Sequence, residues 1–247
     1  MKYISIIFFV FLFSFNVVSC SRKDSGSSST STDSDGTNNS CFSTSISSRQ
    51  LARSSNDFAY GVATDISGNV YVAGGTEGGL DGNTSAGKAD LFVVKYNSSG
   101  TKQWTKQNGT DRYDEARGIA SDSSGNVYVT GYTEGGLDGN TSAGKADLFV
   151  VKYNSSGTKQ WTNQLGTSST DSANGVATDS SGNVYVAGGT NGGLDGNTSA
   201  GNTDLFVVKY SSSGTKQWTK QFGSSSRDSA NGVASDSSGN VYVSGCT

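Results

Sequence analysis

Apolar residues arrive along this chain in two ways. One is a single unbroken run near the N-terminus, residues 4–18 (ISIIFFVFLFSFNVV). The other is a train of short segments beyond about residue 58, rich in Val, Tyr, Phe, Trp and Thr and separated by Gly, Ser, Asn and Asp. Short runs of β-branched and aromatic residues bounded by turn formers predict β-strands, because such side chains fill a pleated, half-buried surface. After the N-terminal run no window keeps apolar residues at i, i+3, i+4 and i+7, so long helices are not expected.

The train repeats every 57 residues. Trp104, Trp161 and Trp218 fall on this period, as do Gly68, Gly125, Gly182 and Gly239, each inside the string SGNVYV. Asp57, Asp114, Asp171 and Asp228 keep the same spacing. In the third copy the four predicted strands are 175–178 (GVAT), 183–187 (NVYVA), 204–210 (DLFVVKY) and 215–221 (TKQWTKQ). The third is apolar nearly throughout, which suits a strand covered on both faces. Two connections, 179–182 (DSSG) and 211–214 (SSSG), are short and carry a Gly able to take positive φ, so they read as hairpin turns. The other two, 188–203 and 166–174, are long. Short and long connections alternate, which puts both long loops on one face of an up-and-down blade. That face is the expected binding face, since loops on a rigid scaffold carry most recognition.

The fold expected is therefore all-β, a β-propeller-like array of four-stranded antiparallel blades. Three full sets fit, at 58–108, 115–165 and 172–222, with one partial strand at 47–52 (SSRQLA) and two strands after residue 222. Repeats reading GVATDSSGNVYVAGGT and then DLFVVKYNSSGTKQW resemble the SBBP family of bacterial β-propeller repeats, from about residue 47 to the end. The resemblance implies a propeller in an extracytoplasmic setting and implies no particular activity. A truncated product, an open arc and a protomer that completes its ring by self-association with another copy all stay open.

The N-terminal run has Lys2 before it and is too short and too poorly flanked to span a membrane stably, so it reads as a signal peptide, residues 1–19. Its end, Val17-Val18-Ser19-Cys20, resembles the lipobox of bacterial lipoproteins. The resemblance implies acylation of Cys20 with palmitate-type chains and anchoring to the cell envelope, and Ser21 at the next position points to the outer membrane. Residues 20–40 follow as the lipidated Cys and a Ser/Thr/Asp-rich stretch with no apolar residue to offset ordering entropy, a disordered tether. The repeat domain is assigned to 41–247. Cys41 and Cys246 flank it. Export permits oxidation, so they read either as a ring-closing disulfide or as two free thiols.

Composition narrows the chemistry. Net charge is −3 with basic residues spread singly, so no nucleic-acid footprint is present, and histidine is absent, which removes the commonest general base and metal ligand. The most site-like segment is L-D-G-N-T-S-A-G-x-x-D, which supplies Asp81, Asn83, Ser85 and Asp90, then Asp138, Asn140, Ser142 and Asp147, then Asp195, Asn197, Ser199 and Asp204. Oxygen ligands at alternate positions suit Ca²⁺. Against that, Ala replaces the sharp-turn Gly of an EF-hand loop and the closing Glu is missing, so Asx-turns shaping a long loop are the competing reading. The Asp57 series is expected to accept loop N–H groups and fix the crossing between blades, and the Trp series to pack. Near-identical copies speak against an enzyme, because acid–base chemistry needs carboxyls in different environments. The copies do differ in the long loops, where Glu77 and Glu134 give way to Asn191, and Lys88 and Lys145 to Asn202. The function expected is a lipid-anchored binding module that presents its long-loop face to a protein or glycan; a structural envelope scaffold is the alternative.

Overall fold

The structure is a computed structural model, and it describes residues 56–247. The segments expected as signal peptide and tether, with Cys20 and Cys41, and the strand expected at 47–52 lie outside the described residues. Within them the chain forms strands and short turns, and no helix is long and apolar enough to cross a membrane.

Fourteen strands follow one another. The first sheet comprises β1 (Asp57–Thr64), β2 (Val70–Thr76), β3 (Asp90–Tyr96) and β4 (Lys102–Asn108). The second comprises β5 (Asp114–Ser121), β6 (Val127–Thr133), β7 (Asp147–Tyr153) and β8 (Lys159–Leu165). The third comprises β9 (Asp171–Thr178), β10 (Val184–Thr190), β11 (Asp204–Tyr210) and β12 (Lys216–Phe222). A two-stranded sheet of β13 (Ser229–Ser235) and β14 (Val241–Cys246) completes the described chain. Each sheet is an antiparallel meander in sequence order. Successive sheets stack with their first strands adjoining, β1 on β5, β5 on β9 and β9 on β13, which is the inner edge of a propeller-like array of blades.

The core lies between blades. Tyr71, Leu91 and Val93 of the first blade close on Val127, Val129, Phe149 and Tyr153 of the second. Tyr128, Leu148 and Val150 close in the same way on Val184, Phe206 and Val208 of the third. This is why LFVVKY is apolar on both faces: every residue of β3 is buried, Lys95 included. Lys95 keeps its charge satisfied by donating to the Ser155 carbonyl of the next blade at 3.0 Å, with its ammonium 5.3 Å from the Tyr71 ring centroid. The same contact recurs from Lys152 to Ser212. Trp104 fits between Tyr71 (6.0 Å) and Tyr153 of the next blade (6.5 Å), so the Trp series packs as expected.

The short hairpins match expectation. Gly182 and Gly214 take φ of 76° and 85°. In the first of them the Asp179 carboxylate accepts from the Ser181 and Asn183 amides at 2.9 Å each, and from the Tyr185 hydroxyl at 2.9 Å. Burial pushes the Asp179 carboxyl up, but these hydrogen bonds outweigh it and hold the group below its ordinary range. Between neighbouring blades, Ser121 donates to the Thr64 carbonyl at 2.8 Å and Ser235 to the Thr178 carbonyl at 3.0 Å, lacing the inner strands together.

Two boundaries differ from the sequence reading. The first strand of each blade starts at the Asp rather than four residues later, and the second runs on through Gly188 and Gly189 to Thr190. The pairing tolerates this because a bulge interrupts each first strand, between Ala116 and Gly118 in the second blade. The facing position must then be glycine: a Cβ at Gly131 would stand 1.8 Å from the Glu115 carbonyl oxygen.

Candidate functional site

The long loops do share a face, and they bind one another. The loop before β7 pairs with the loop before β9 through a parallel bridge, Ala146 to Thr170, and the Asp171 amide donates to the Ala146 carbonyl at 2.8 Å. Equivalent bridges join Ala89 to Tyr113 and Thr203 to Arg227. The 2–3 loop of each blade is thereby fixed to the entry of the next.

The LDGNTSAG segment is engaged in holding this loop shut. Asp81, Asp138 and Asp195 take left-handed φ of 52°, 54° and 55°. They reach the outer strand of their own blade, where Lys102 with Thr105, Lys159 with Thr162 and Lys216 with Thr219 meet their carboxylates. Burial pushes Asp138 and Asp195 up, and the bonds from lysine and threonine outweigh it, so both carboxyls sit below their ordinary range. Asn83, Asn140 and Asn197 donate their side-chain amides back to the Leu80, Leu137 and Leu194 carbonyls at 2.7, 2.7 and 2.8 Å. Ser85, Ser142 and Ser199 donate to carbonyls two residues on, each at 3.1 Å.

Asp90, Asp147 and Asp204 are fully buried. Each accepts an amide four residues back, Ala86, Ala143 or Ala200, at 2.8, 2.7 and 2.7 Å. Each also accepts from Gln107, Gln164 or Gln221 at 2.7, 2.7 and 2.6 Å. Those glutamines bind the loop a second time by accepting the Leu80, Leu137 and Leu194 amides. They were not singled out in the sequence, although they keep the 57-residue period. The structure thus places Asp81 against the outer strand and Asp90 in the blade core, and among the described residues no three His, Cys, Asp or Glu side chains group as a metal cage.

The Asp57 series does fix the blade crossing. Asp114 accepts the Thr110 amide at 2.6 Å and its hydroxyl at 2.8 Å, and Asp171 holds Thr167 in the same way. Burial drives both carboxyls up more strongly than these bonds and a threonine hydroxyl on the neighbouring strand draw them down. Cys246 is exposed at the end of β14, and its proposed partner Cys41 lies outside the described residues.

A cleft of about 340 Å³ opens on the long-loop face, among the inner strands of the second, third and fourth sheets. Its wall is made of residues at positions where the copies disagree. Arg117 and Asn174 share a register that holds Tyr60 in the first copy. Ser172 and Ser229 share one that holds Phe58 and Glu115, and Thr170 and Arg227 share one that holds Asn56 and Tyr113. Gly189, Asn191 and Thr203 complete the wall, where the second copy has Tyr132, Glu134 and Ala146. The LDGNTSAG and DLFVVKY segments, by contrast, are identical in all three copies. The copies also differ outside this wall, as at Ile66 against Ser123 and Ser180, or at Asn108, Leu165 and Phe222, but no cleft residue stands at a register that is the same in every copy.

Arg117 donates to the Ser172 hydroxyl at 3.0 Å, lies 4.7 Å from the Tyr132 ring centroid, and is 3.6 Å from the Glu115 carboxylate. Burial and the Glu115 charge push the Tyr132 hydroxyl up to about 12. Asn174 donates to the Ala230 carbonyl at 2.8 Å, and Asn191 accepts the Thr203 hydroxyl at 3.0 Å. A second cleft, on the hairpin face, is lined by the turn aspartates Asp65, Asp122 and Asp179, whose carboxylates are already spent on their own turns.

The β-propeller repeat model of the SBBP family matches residues 48–81, 103–138, 160–195 and 217–247. Each complete match runs from the fourth strand of one blade through the first two of the next, out of phase with the sheets. The regulatory protein FlaEY of Caulobacter vibrioides is 27% identical over 191 residues, covering 69% of this chain and 20% of that protein. An uncharacterized WD repeat-containing protein, L264, of Acanthamoeba polyphaga mimivirus is 28% identical over 173 residues, covering 59% of this chain and 12% of that one. The chain thus spans about a fifth or less of the length of these curated relatives. Among solved structures, a protein of unknown function from Bacteroides caccae aligns with 76% of this chain and 53% of its own, at 10% identity and a TM-score of 0.43.

Proposed function

The chain belongs to the SBBP β-propeller repeat family, and from that premise we propose that it is a lipid-anchored extracytoplasmic binding module whose ligand enters the cleft on the long-loop face. One observation carries this reading: every residue of the cleft wall stands at a register position where the copies differ, while the LDGNTSAG and DLFVVKY segments that frame the blades do not vary. Rigid blades that present varied side chains at a loop-rich mouth are the arrangement binding requires. The reading is of binding without turnover, since the wall carries no carboxylate, and no histidine exists in the chain to activate Ser172 or Ser229. The lipid anchor rests on the lipobox-like sequence ending at Cys20, and two acyl chains would make attachment stable.

The test is an array of envelope glycans and proteins probed with the acylated chain. Arg117→Ala with Asn174→Ala is expected to weaken the strongest signal by about tenfold or more, the loss of two or more buried polar contacts. Ile66→Ser, on the opposite face and already the residue of the other copies, should leave it unchanged. Binding lost with Ile66→Ser and kept with the cleft variant would put the site on the wrong face. Palmitate incorporation that Cys20→Ser abolishes checks the anchor.

A further inference from the structure

We propose that the cleft binds the carboxylate of an acidic sugar, with Arg117 and Arg227 gripping the anion and Asn174, Asn191 and Ser229 meeting the ring hydroxyls; this rests on the choice of face made above. Charge is the first reason. The wall holds two guanidinium groups and no carboxylate, in a chain of net charge −3. Arg227 has no side-chain hydrogen bond or ion pair among the described residues. Arg117 has its nearest carboxylate at 3.6 Å, beyond hydrogen-bond length, so its donors are not claimed by a forked pair. A guanidinium presents a planar fork of N–H donors that matches a carboxylate edge, so each arginine gives the wall a docking point for an anion.

The rest of the wall sets the class of ligand. It consists of hydroxyl, amide and glycine residues, and no large apolar side chain lines it. An acidic peptide would find nothing there to bury its apolar stems against, whereas a sugar presents hydroxyls that both donate and accept, as Asn, Ser and Thr do. A volume of about 340 Å³ is at the small end for ligand pockets, suited to a monosaccharide or disaccharide. The residue at the register of Gly189 varies along the array, from Gly75 to Tyr132 to Gly189. At the register of Gly189 the second copy carries Tyr132, which lies under Arg117, and a Cβ at Gly189 itself would meet the Ser229 hydroxyl at 3.0 Å. One copy places a ring there, and the next has no side chain and is closed over by Ser229 and Thr203.

The experiment is titration calorimetry on the acylated full-length chain in detergent with digalacturonic acid, with the neutral digalactose of the same linkage, and with triglutamate. Digalacturonic acid is expected to bind at least about tenfold more tightly than digalactose, with affinity falling as salt rises. Arg227→Gln and Arg117→Gln should each weaken the uronate by about tenfold and so narrow its advantage over digalactose. Equal binding of acid and neutral sugar, no binding of the uronate, or uronate binding indifferent to Arg227→Gln would overturn the proposal. So would triglutamate binding more tightly than the uronate, which would make the ligand a peptide. A neutral glycan whose binding falls with Asn174→Ala but not with either arginine change would leave the face right and the ligand class wrong. Uronate binding lost only with hairpin-face changes would mean the face itself is wrong.

Discussion

Gly131→Ala is expected to cost about 3 kcal/mol or more, because it forces a methyl group into backbone that has no room to yield. Gly131 lies in β6 opposite the bulge of β5, and the added carbon would stand 1.8 Å from the Glu115 carbonyl oxygen and 3.0 Å from Ala116 Cα. Neither contact is the end of a flexible side chain. Ala116 is fully buried and belongs to the core shared with the first blade, so the bulge has no direction in which to relax. Gly139→Ala is the control. Its φ of 81° disfavours a side chain, but nothing lies within 4 Å of the new carbon, so the expected cost is about 1 kcal/mol from backbone strain alone. Thermal unfolding followed by circular dichroism should show the Gly131 variant melting roughly 10 °C below the parent and well below the Gly139 variant. Equal shifts would mean the bulge does not hold Gly131 against Glu115.

The second large effect is at the outer part of the blade interface. Trp161→Ala is expected to cost about 3 kcal/mol, at the low end for tryptophan truncation because the ring is only half-buried. Trp161 lies 6.0 Å from Tyr128 in its own blade and 6.5 Å from Tyr210 in the next, and it donates to the Ser212 carbonyl at 3.3 Å. Removing it opens a gap between blades rather than within one. Trp218 contacts Tyr185 at 6.2 Å and no second ring among the described residues, so Trp218→Ala should cost less, about half as much. Denaturant titrations read both. In an array where each unit leans on its neighbours, loss of one junction should also broaden the Trp161→Ala transition. Identical costs at the two tryptophans would contradict the inter-blade role of the stack.

Much of this was legible in the sequence because the repeat states it several times over. Period, strand number, hairpin turns and the doubly covered third strand all follow from LFVVKY, SGNVYV and SSG recurring at one spacing. The extended strand ends were hidden by chemistry that mimics a loop. Gly188 and Gly189 read as loop formers, yet Gly188 is the glycine a bulge demands, and Asp171 opens a strand because its buried carboxylate is satisfied by Thr167. The LDGNTSAG segment attracted attention because its oxygen-bearing residues alternate, and the structure spends those groups on Lys159, Thr162, Gln164 and the loop's own backbone. The cleft was out of reach because its wall comes from six register positions scattered along the repeat and from three successive sheets. Only the fold brings them to one mouth. The signal was present as the differences between copies, of which Glu77, Glu134 and Asn191 were one set.

The central claim, that the varied positions of the cleft wall form the binding site, is tested most directly by making the third blade match the second at them. A variant carrying Thr170→Tyr, Ser172→Glu, Asn174→Arg, Gly189→Tyr, Asn191→Glu and Thr203→Ala gives the third blade the residues of the second at every varied cleft position. Probed on the glycan and protein array beside the parent, with circular dichroism to confirm that both are folded, it is expected to lose the parent's strongest signal while keeping its β spectrum. A folded variant that retains that signal undiminished would show that the ligand is held elsewhere.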